Sequence, residues 1–222
     1  SNMLIWLFVQ TKSFGPALTQ IIAQDKRESA GGFRVLDMGI MCLENKDYPN
    51  ARKAFDYVRK LGETSPLFYR AELALLNSTY TEITSSNTQD STIIADALNN
   101  YKATLTRLGI KNTTVEIVKE LAHLEAFYAQ DTKSAIDRLT QALETPGTTD
   151  MQIAELKMEL ADILVLDGEM WDASLYYMQI DKSFKYEPIG QEAKYKNSRI
   201  FYYDGEFEFA QSQLKVLKEA TS

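Results

Sequence analysis

Small, large and polar positions recur along the chain in an order that predicts pairs of helices. Within residues 31–66, the small residues Gly39 and Ala51 stand twelve positions apart, and Phe55 follows Ala51 by four. A polar run, 45–48, lies between them. Two helices joined by a tight turn pack closely where small side chains face each other. We therefore predict a helix hairpin in which Gly39 lies opposite Ala51, with Phe55 beside them.

The same order returns in later segments, with Ala161, Ala173 and Tyr177 in the corresponding places of one of them. In another segment the first small position falls on His123, or on Ala122 if the turn is one residue shorter. The alanines that open the second helices are Ala17, Ala51, Ala97, Ala135, Ala173 and Ala210, spaced by 34, 46, 38, 38 and 37 residues. This series predicts one solenoid over 4–222, with units near 4–30, 31–65, 66–112, 113–148, 149–186 and 187–222.

The order of small, small and large residues in a unit near 34 residues resembles the tetratricopeptide-repeat (TPR) family. The likeness covers nearly the whole chain, is strongest in 31–65, 149–186 and 187–222, and extends loosely to large bacterial TPR proteins. Several units are longer than 34 residues and the family's first-position Trp is absent. The resemblance implies an all-α fold, a right-handed α-solenoid of about eleven helices, and a scaffold for protein–protein interaction.

Polar residues with helix-capping preferences mark the predicted boundaries. Thr113 with Glu116, and Thr149 with Gln152, have the spacing of a capping box. Pro188 is predicted to begin the last hairpin. The polar stretch 81–92 is predicted to be the one long loop, either a surface insertion or a binding loop.

Composition and charge narrow the function classes. Ten Gly and five Pro in 222 residues favour long uninterrupted helices. A net charge of −7 disfavours nucleic acid as a partner and leaves basic partners as a minor alternative. The apolar run 4–9 is too short to cross a membrane, for which about 20 apolar residues are needed. We expect no direct membrane insertion by this segment.

The residues that could carry chemistry are few. Cys42 is the only cysteine and His123 the only histidine, so a disulfide within the chain and a site with two imidazoles are excluded. We interpret Cys42 as a buried thiol and His123 as a structural residue at a helix contact. No metal, cofactor or enzymatic activity is expected. The rival hypothesis is an enzyme whose site is built from carboxylates and tyrosines in a groove.

The resemblance also implies where a partner would bind, because the first helix of each TPR unit lines the concave face. The positions that match this face, and are predicted to contact a partner peptide or helix, are Met158, Asp162, Tyr195, Arg199, Tyr202 and Tyr203. The alternative is that a further hairpin packs on the same face. The Lys and Asn set with which some TPR proteins hold a C-terminal carboxylate is not found, since Asp37 and Lys196 stand at one of its positions.

The ends of the chain suggest a segment of something longer. Residues 1–3 have the character of a tag remnant, and the chain stops just after a second helix. A second functional hypothesis is therefore a sensory or spacer arm of a longer bacterial regulatory or envelope protein. The compartment is open, with the resemblance favouring the bacterial envelope or periplasm over the cytoplasm.

Overall fold

The computed structural model describes residues 7–8, 10–86 and 90–220, and over these residues the chain is helical without any strand. From Phe14 onward the described residues form eleven helices in succession: α1 (Phe14–Glu28), α2 (Phe33–Glu44), α3 (Tyr48–Arg59), α4 (Phe68–Ser86), α5 (Ser91–Leu108), α6 (Val115–Phe127), α7 (Thr132–Leu143), α8 (Asp150–Asp167), α9 (Met170–Ser183), α10 (Pro188–Tyr203) and α11 (Phe207–Ala220). The predicted all-α fold is confirmed. The chain divides into two compact units, 1–97 and 98–222.

The first unit contains α1 to α4 and the beginning of α5. Each of α1 to α3 packs against the next helix in sequence, and α1 also meets α3, as α2 meets α4. Contact of each helix with the next and the next but one is the arrangement expected of stacked hairpins, because a single hairpin cannot bury its own apolar stripe.

Gly39 marks the closest approach within the α2–α3 hairpin. A Cβ placed on Gly39 would lie 2.5 Å from Cε1 of Phe55 and 3.0 Å from Cβ of Ala54. The close contact was predicted, but its nearest atoms belong to Phe55 and Ala54 rather than to Ala51. The ring of Phe55 therefore packs directly on the backbone of α2, and only glycine leaves room for it.

The predicted long loop over 81–92 is wrong. Helix α4 continues to Ser86, and α5 begins at Ser91. Ile83 is fully buried, and the hydroxyl of Thr84 donates to the carbonyl of Tyr80 at 2.9 Å. Burial of Ile83 outweighs the weak helix preference of the surrounding Thr and Ser residues, whose hydroxyls can bond within the helix.

The second unit contains the rest of α5 and α6 to α11. From α6 onward each helix packs against the next, and α6 also meets α8, as α8 meets α10. The first helices of three successive hairpins thus stand in a row. All six alanines of the repeat series, in both units, are at most 1 % exposed. The sequence left open whether His123 or Ala122 is the first small position of its hairpin. Ala122 is fully buried and His123 is not.

Three helix starts were predicted in the second unit, and the structure agrees with two of them. Thr149 and Gln152 form the predicted capping box, and α10 begins at Pro188. The predicted box at Thr113 is wrong, because α6 begins at Val115 with Thr114 as its N-cap. The hydroxyl of Thr114 donates back to the carbonyl of Gly109 at 2.8 Å, so it closes the preceding turn instead.

Cys42 is buried as predicted, and burial, with a smaller effect from the charge of Asp47, raises the pKa of its thiol to about 12. Such a thiol is not a nucleophile at neutral pH. Residues 1–3 lie outside the described part of the chain. None of the described helices has both the length and the apolar character needed to span a membrane.

Candidate partner-binding groove

Side chains from α6, α8, α9 and α10 enclose a groove of about 330 Å³ in the second unit. The groove is lined by His123, Phe127, Asp162, Val165, Met170, Tyr177, Lys196, Arg199, Ile200 and Tyr203. We call it the first-helix groove, because α6, α8 and α10 are the first helices of their hairpins. Helical spacing explains its composition: on α10, Lys196, Arg199 and Tyr203 are three and four residues apart and share one face.

Asp162 is the polar centre of the first-helix groove. Its Oδ1 accepts a hydrogen bond from the hydroxyl of Tyr177 at 2.6 Å, and its Oδ2 accepts one from Nζ of Lys196 at 2.6 Å. The Asp162 carboxylate on α8 therefore links α8 to both α9 and α10. Charge-assisted hydrogen bonds of this length are strong, so the three side chains hold the floor of the groove in place.

The ionisation states of Tyr177 and Lys196 suit this role. Burial raises the pKa of Tyr177 well above its usual range, and the hydrogen bond to Asp162 raises it further. Burial lowers the pKa of Lys196, but the hydrogen bonds and charges of Asp162 and Glu192 outweigh this, so its pKa is raised overall. At neutral pH, Tyr177 is a neutral donor and Lys196 a cation.

Two further polar pairs connect α6 to α8. Nδ1 of His123 lies 2.8 Å from Oε1 of Glu159, and Nζ of Lys119 lies 3.2 Å from Oε2 of Glu155. The His123 ring also stacks on Phe127, with centroids 4.7 Å apart. The contact across helices agrees with the interpretation of His123 as a structural residue, and its position places it in the wall of the groove as well.

The six predicted contact residues divide into three groups. Asp162, Arg199 and Tyr203 line the first-helix groove. Tyr195 and Tyr202 are half exposed on α10, and the centroid of the Tyr202 ring lies 5.3 Å from that of Phe207 in α11. Met158 is only 8 % exposed, so its side chain mainly packs between helices.

Three polar residues of the groove were not predicted from the sequence to line it: His123, Tyr177 and Lys196. A signal for two of them was present. Asp162 and Lys196 are 34 residues apart, and His123 and Glu159 are 36 apart, which is close to one repeat. Polar partners separated by one repeat lie on neighbouring first helices, so they can form pairs across the stack.

The described residues hold no cluster of three or more His, Cys, Asp or Glu side chains that could bind a metal ion. The groove offers a partner the hydrogen-bonding groups at the ends of its polar side chains, together with partly exposed apolar side chains. Val165, Met170 and Tyr203 are all at least one-third exposed.

No protein-family model and no curated protein matches the chain. Solved structures do resemble it. A Podosopora anserina protein assigned as a kinesin light chain, with nearly identical TPR-like repeats, aligns over 85 % of this chain and 93 % of its own, with 13 % identity and a TM-score of 0.63. YrrB, a TPR protein with an unusual peptide-binding site, aligns over 92 % of both chains, with 15 % identity and a TM-score of 0.56. At such identities the likeness establishes the fold: this chain has the all-α, TPR-like repeat fold.

Proposed function

We propose that the chain is a non-catalytic scaffold that binds a peptide or helix of a partner protein in the first-helix groove. The observation that carries the proposal is the groove itself. Three successive first helices contribute to it, its floor is fixed by the Tyr177–Asp162–Lys196 hydrogen bonds, and its rim is exposed. A rigid floor lowers the entropy cost of binding, because few side chains must be ordered when a ligand arrives.

The exposed residue types at the rim support the same function. Tyr203 is 71 % exposed and Arg199 is also exposed. Tyrosine and arginine are enriched among the residues that dominate binding energy at protein interfaces. Tyrosine adds a large flat surface with few rotamers, so it can hold a peptide at little entropic cost.

The alternative of an enzyme site in this groove gains no support from the ionisation of its residues. A general base needs a pKa near the working pH, and an attacking phenol needs a lowered pKa. The pKa of Tyr177 is raised instead, and its hydroxyl donates a hydrogen bond to Asp162. Lys196 is likewise held as a cation. These groups stabilise the helix stack rather than a reacting centre.

A peptide-display selection with a matched pair of variants tests the proposal. Peptides selected on the intact chain should lose about tenfold in affinity for Tyr203→Ser, since a hot-spot tyrosine contributes more than about 1 kcal/mol. Tyr186→Ser is the control, because Tyr186 is 85 % exposed and does not line the groove. The affinities can be measured by fluorescence anisotropy, with melting temperatures recorded for both variants.

We expect the two variants to melt with the intact chain, because both phenols are mostly in solvent. Selected peptides that bind Tyr203→Ser and Tyr186→Ser equally well would contradict the proposal. So would a loss of affinity that follows a lowered melting temperature, since that would indicate a packing role for Tyr203.

A further inference from the structure

Arg199 differs from the other cation of the first-helix groove in having no anionic partner. Lys196 is paired with Asp162 at 2.6 Å and with Glu192 at 3.1 Å. Among the described residues, no carboxylate lies within 4.0 Å of the Arg199 guanidinium. The guanidinium is nevertheless close enough for its charge to lower the pKa of Tyr177 slightly against the larger opposing effects.

The nearest candidate partner within the groove is already engaged. Both oxygens of Asp162 accept short hydrogen bonds, one from Tyr177 and one from Lys196. Arg199 therefore presents a planar set of donors, suited to a carboxylate, at the edge of a groove whose own carboxylate is satisfied. Among the described residues, Arg199 is the lining cation that no carboxylate pairs.

The surroundings of Arg199 are apolar. Val165, Met170 and Tyr203 line the same groove and are each partly exposed. An anion that meets Arg199 would thus bring its neighbouring residue against these three side chains. Because they expose apolar area, a large apolar neighbour would gain by burial there.

We infer that the first-helix groove binds a partner segment in which an acidic side chain stands next to a large apolar one. The acidic side chain pairs with Arg199, and the apolar one lies against Val165, Met170 and Tyr203. This inference rests on the proposed function and states the chemistry of its ligand. It is the opposite of what the net charge of −7 suggests, since local charge at the contact decides specificity.

The probes are three fluorescein-labelled nonapeptide pools whose residues outside the central pair are neutral, and the first two pools carry a C-terminal amide. One pool has Glu-Phe at its centre, the second has Gln-Phe, and a third has Gln-Phe with a free C-terminal carboxylate. For the intact chain we expect the Glu pool to bind about tenfold more tightly than the Gln pool, the ratio that one charge-assisted hydrogen-bond pair provides. Fluorescence anisotropy measures each dissociation constant.

Three variants complete the test. Arg199→Gln should bind the Glu and Gln pools equally, and Arg199→Glu should bind the Gln pool more tightly than the Glu pool. Arg70→Gln is the matched control: it removes an exposed arginine charge from α4 and should keep the tenfold ratio. Melting temperatures should stay within a few degrees, because Arg199 is exposed and unpaired.

The outcomes separate the inference from the function on which it rests. Equal binding of the Glu and Gln pools, weakened for both by Tyr203→Ser, would overturn the acidic preference and leave the groove as a binding site. A gain in affinity only for the pool with the free terminus would overturn it too, since the groove would then recognise chain ends. Binding of no pool would overturn both.

Discussion

At the scale of single residues, Asp162 and Arg199 show how pairing decides the role of a charged side chain. Both were predicted to contact a partner, and both line the first-helix groove. The two carboxylate oxygens of Asp162 accept hydrogen bonds from Tyr177 and Lys196. Arg199, in contrast, has no ion pair among the described residues. The sequence places the two side chains on matching helix positions, but their partners depend on the distance between neighbouring helices, which periodicity does not define.

Glu120 in α6 offers a test of buried charge. It is 9 % exposed, and the hydroxyl of Tyr101 donates to its Oε2 at 2.7 Å. Burial raises its pKa, opposed in part by the hydrogen bond from Tyr101. A raised pKa in the folded state means that the folded chain holds the proton more tightly. The stability that Glu120 contributes is therefore full below the unfolded pKa, about 4.3, and is lost as pH rises through the folded pKa.

We expect Glu120→Gln to gain stability relative to the intact chain as pH rises from about 4, near the unfolded pKa of a glutamate, to about 7, because the buried carboxyl must then ionise. The amide oxygen can still accept from Tyr101, and no charge is buried. Urea unfolding at both pH values measures the difference. Glu63→Gln, at an exposed position, should show none. An advantage of Glu120→Gln that is as large at the lower pH would contradict the assignment.

At the scale of helices, the alanine series and the hairpin turns could be predicted because each hairpin repeats the same local packing. The six alanines are buried, and the capping box at Thr149 is present. The prediction failed at 81–86, where burial of Ile83 keeps a Thr- and Ser-rich stretch helical, and at Thr113, where the hydroxyl of Thr114 closes the preceding turn. Both failures come from contacts that local preference does not contain.

Gly39→Ala tests the close contact within the α2–α3 hairpin. The new Cβ would lie 2.5 Å from the Phe55 ring, which is fully buried and has no space to turn. We expect a loss of about 1–3 kcal/mol in the free energy of unfolding, the usual cost of overpacking. Chemical denaturation measures it.

Gly15→Ala is the matched control in α1. Its Cβ would meet only the Asn50 side chain, at an ordinary 3.6 Å. The same change of residue should then alter stability by no more than about 0.5 kcal/mol, because Gly15 lies in the first turn of α1 and precedes Pro16, where the helix preference of alanine is offset. If Gly39→Ala and Gly15→Ala changed stability alike, the close approach of Phe55 to α2 would be refuted.

At the scale of the whole molecule, two compact units share one construction principle, in which α1 to α4 of the first unit and α6 to α11 of the second each pack on their neighbours in sequence within the unit. The single solenoid over 4–222 and its unit limits stay predictions, as do the compartment and the six contact residues as a binding set. The kind of partner could not be predicted from composition, because a net charge of −7 describes the sum of all side chains. The net charge does not show that, among the described residues, Lys196 of the first-helix groove is paired with carboxylates and Arg199 is not.

Photo-crosslinking of a bound peptide shows whether the partner lies in the first-helix groove. A peptide selected on the intact chain, with a benzophenone group at its centre, is irradiated in the complex, and the crosslinked residues are identified by mass spectrometry. We expect crosslinks within α6, α8 and α10, concentrated at Phe127, Val165 and Tyr203. Crosslinks concentrated on α7 or on the exposed residues of α9 away from the groove, such as Leu175, would contradict this expectation.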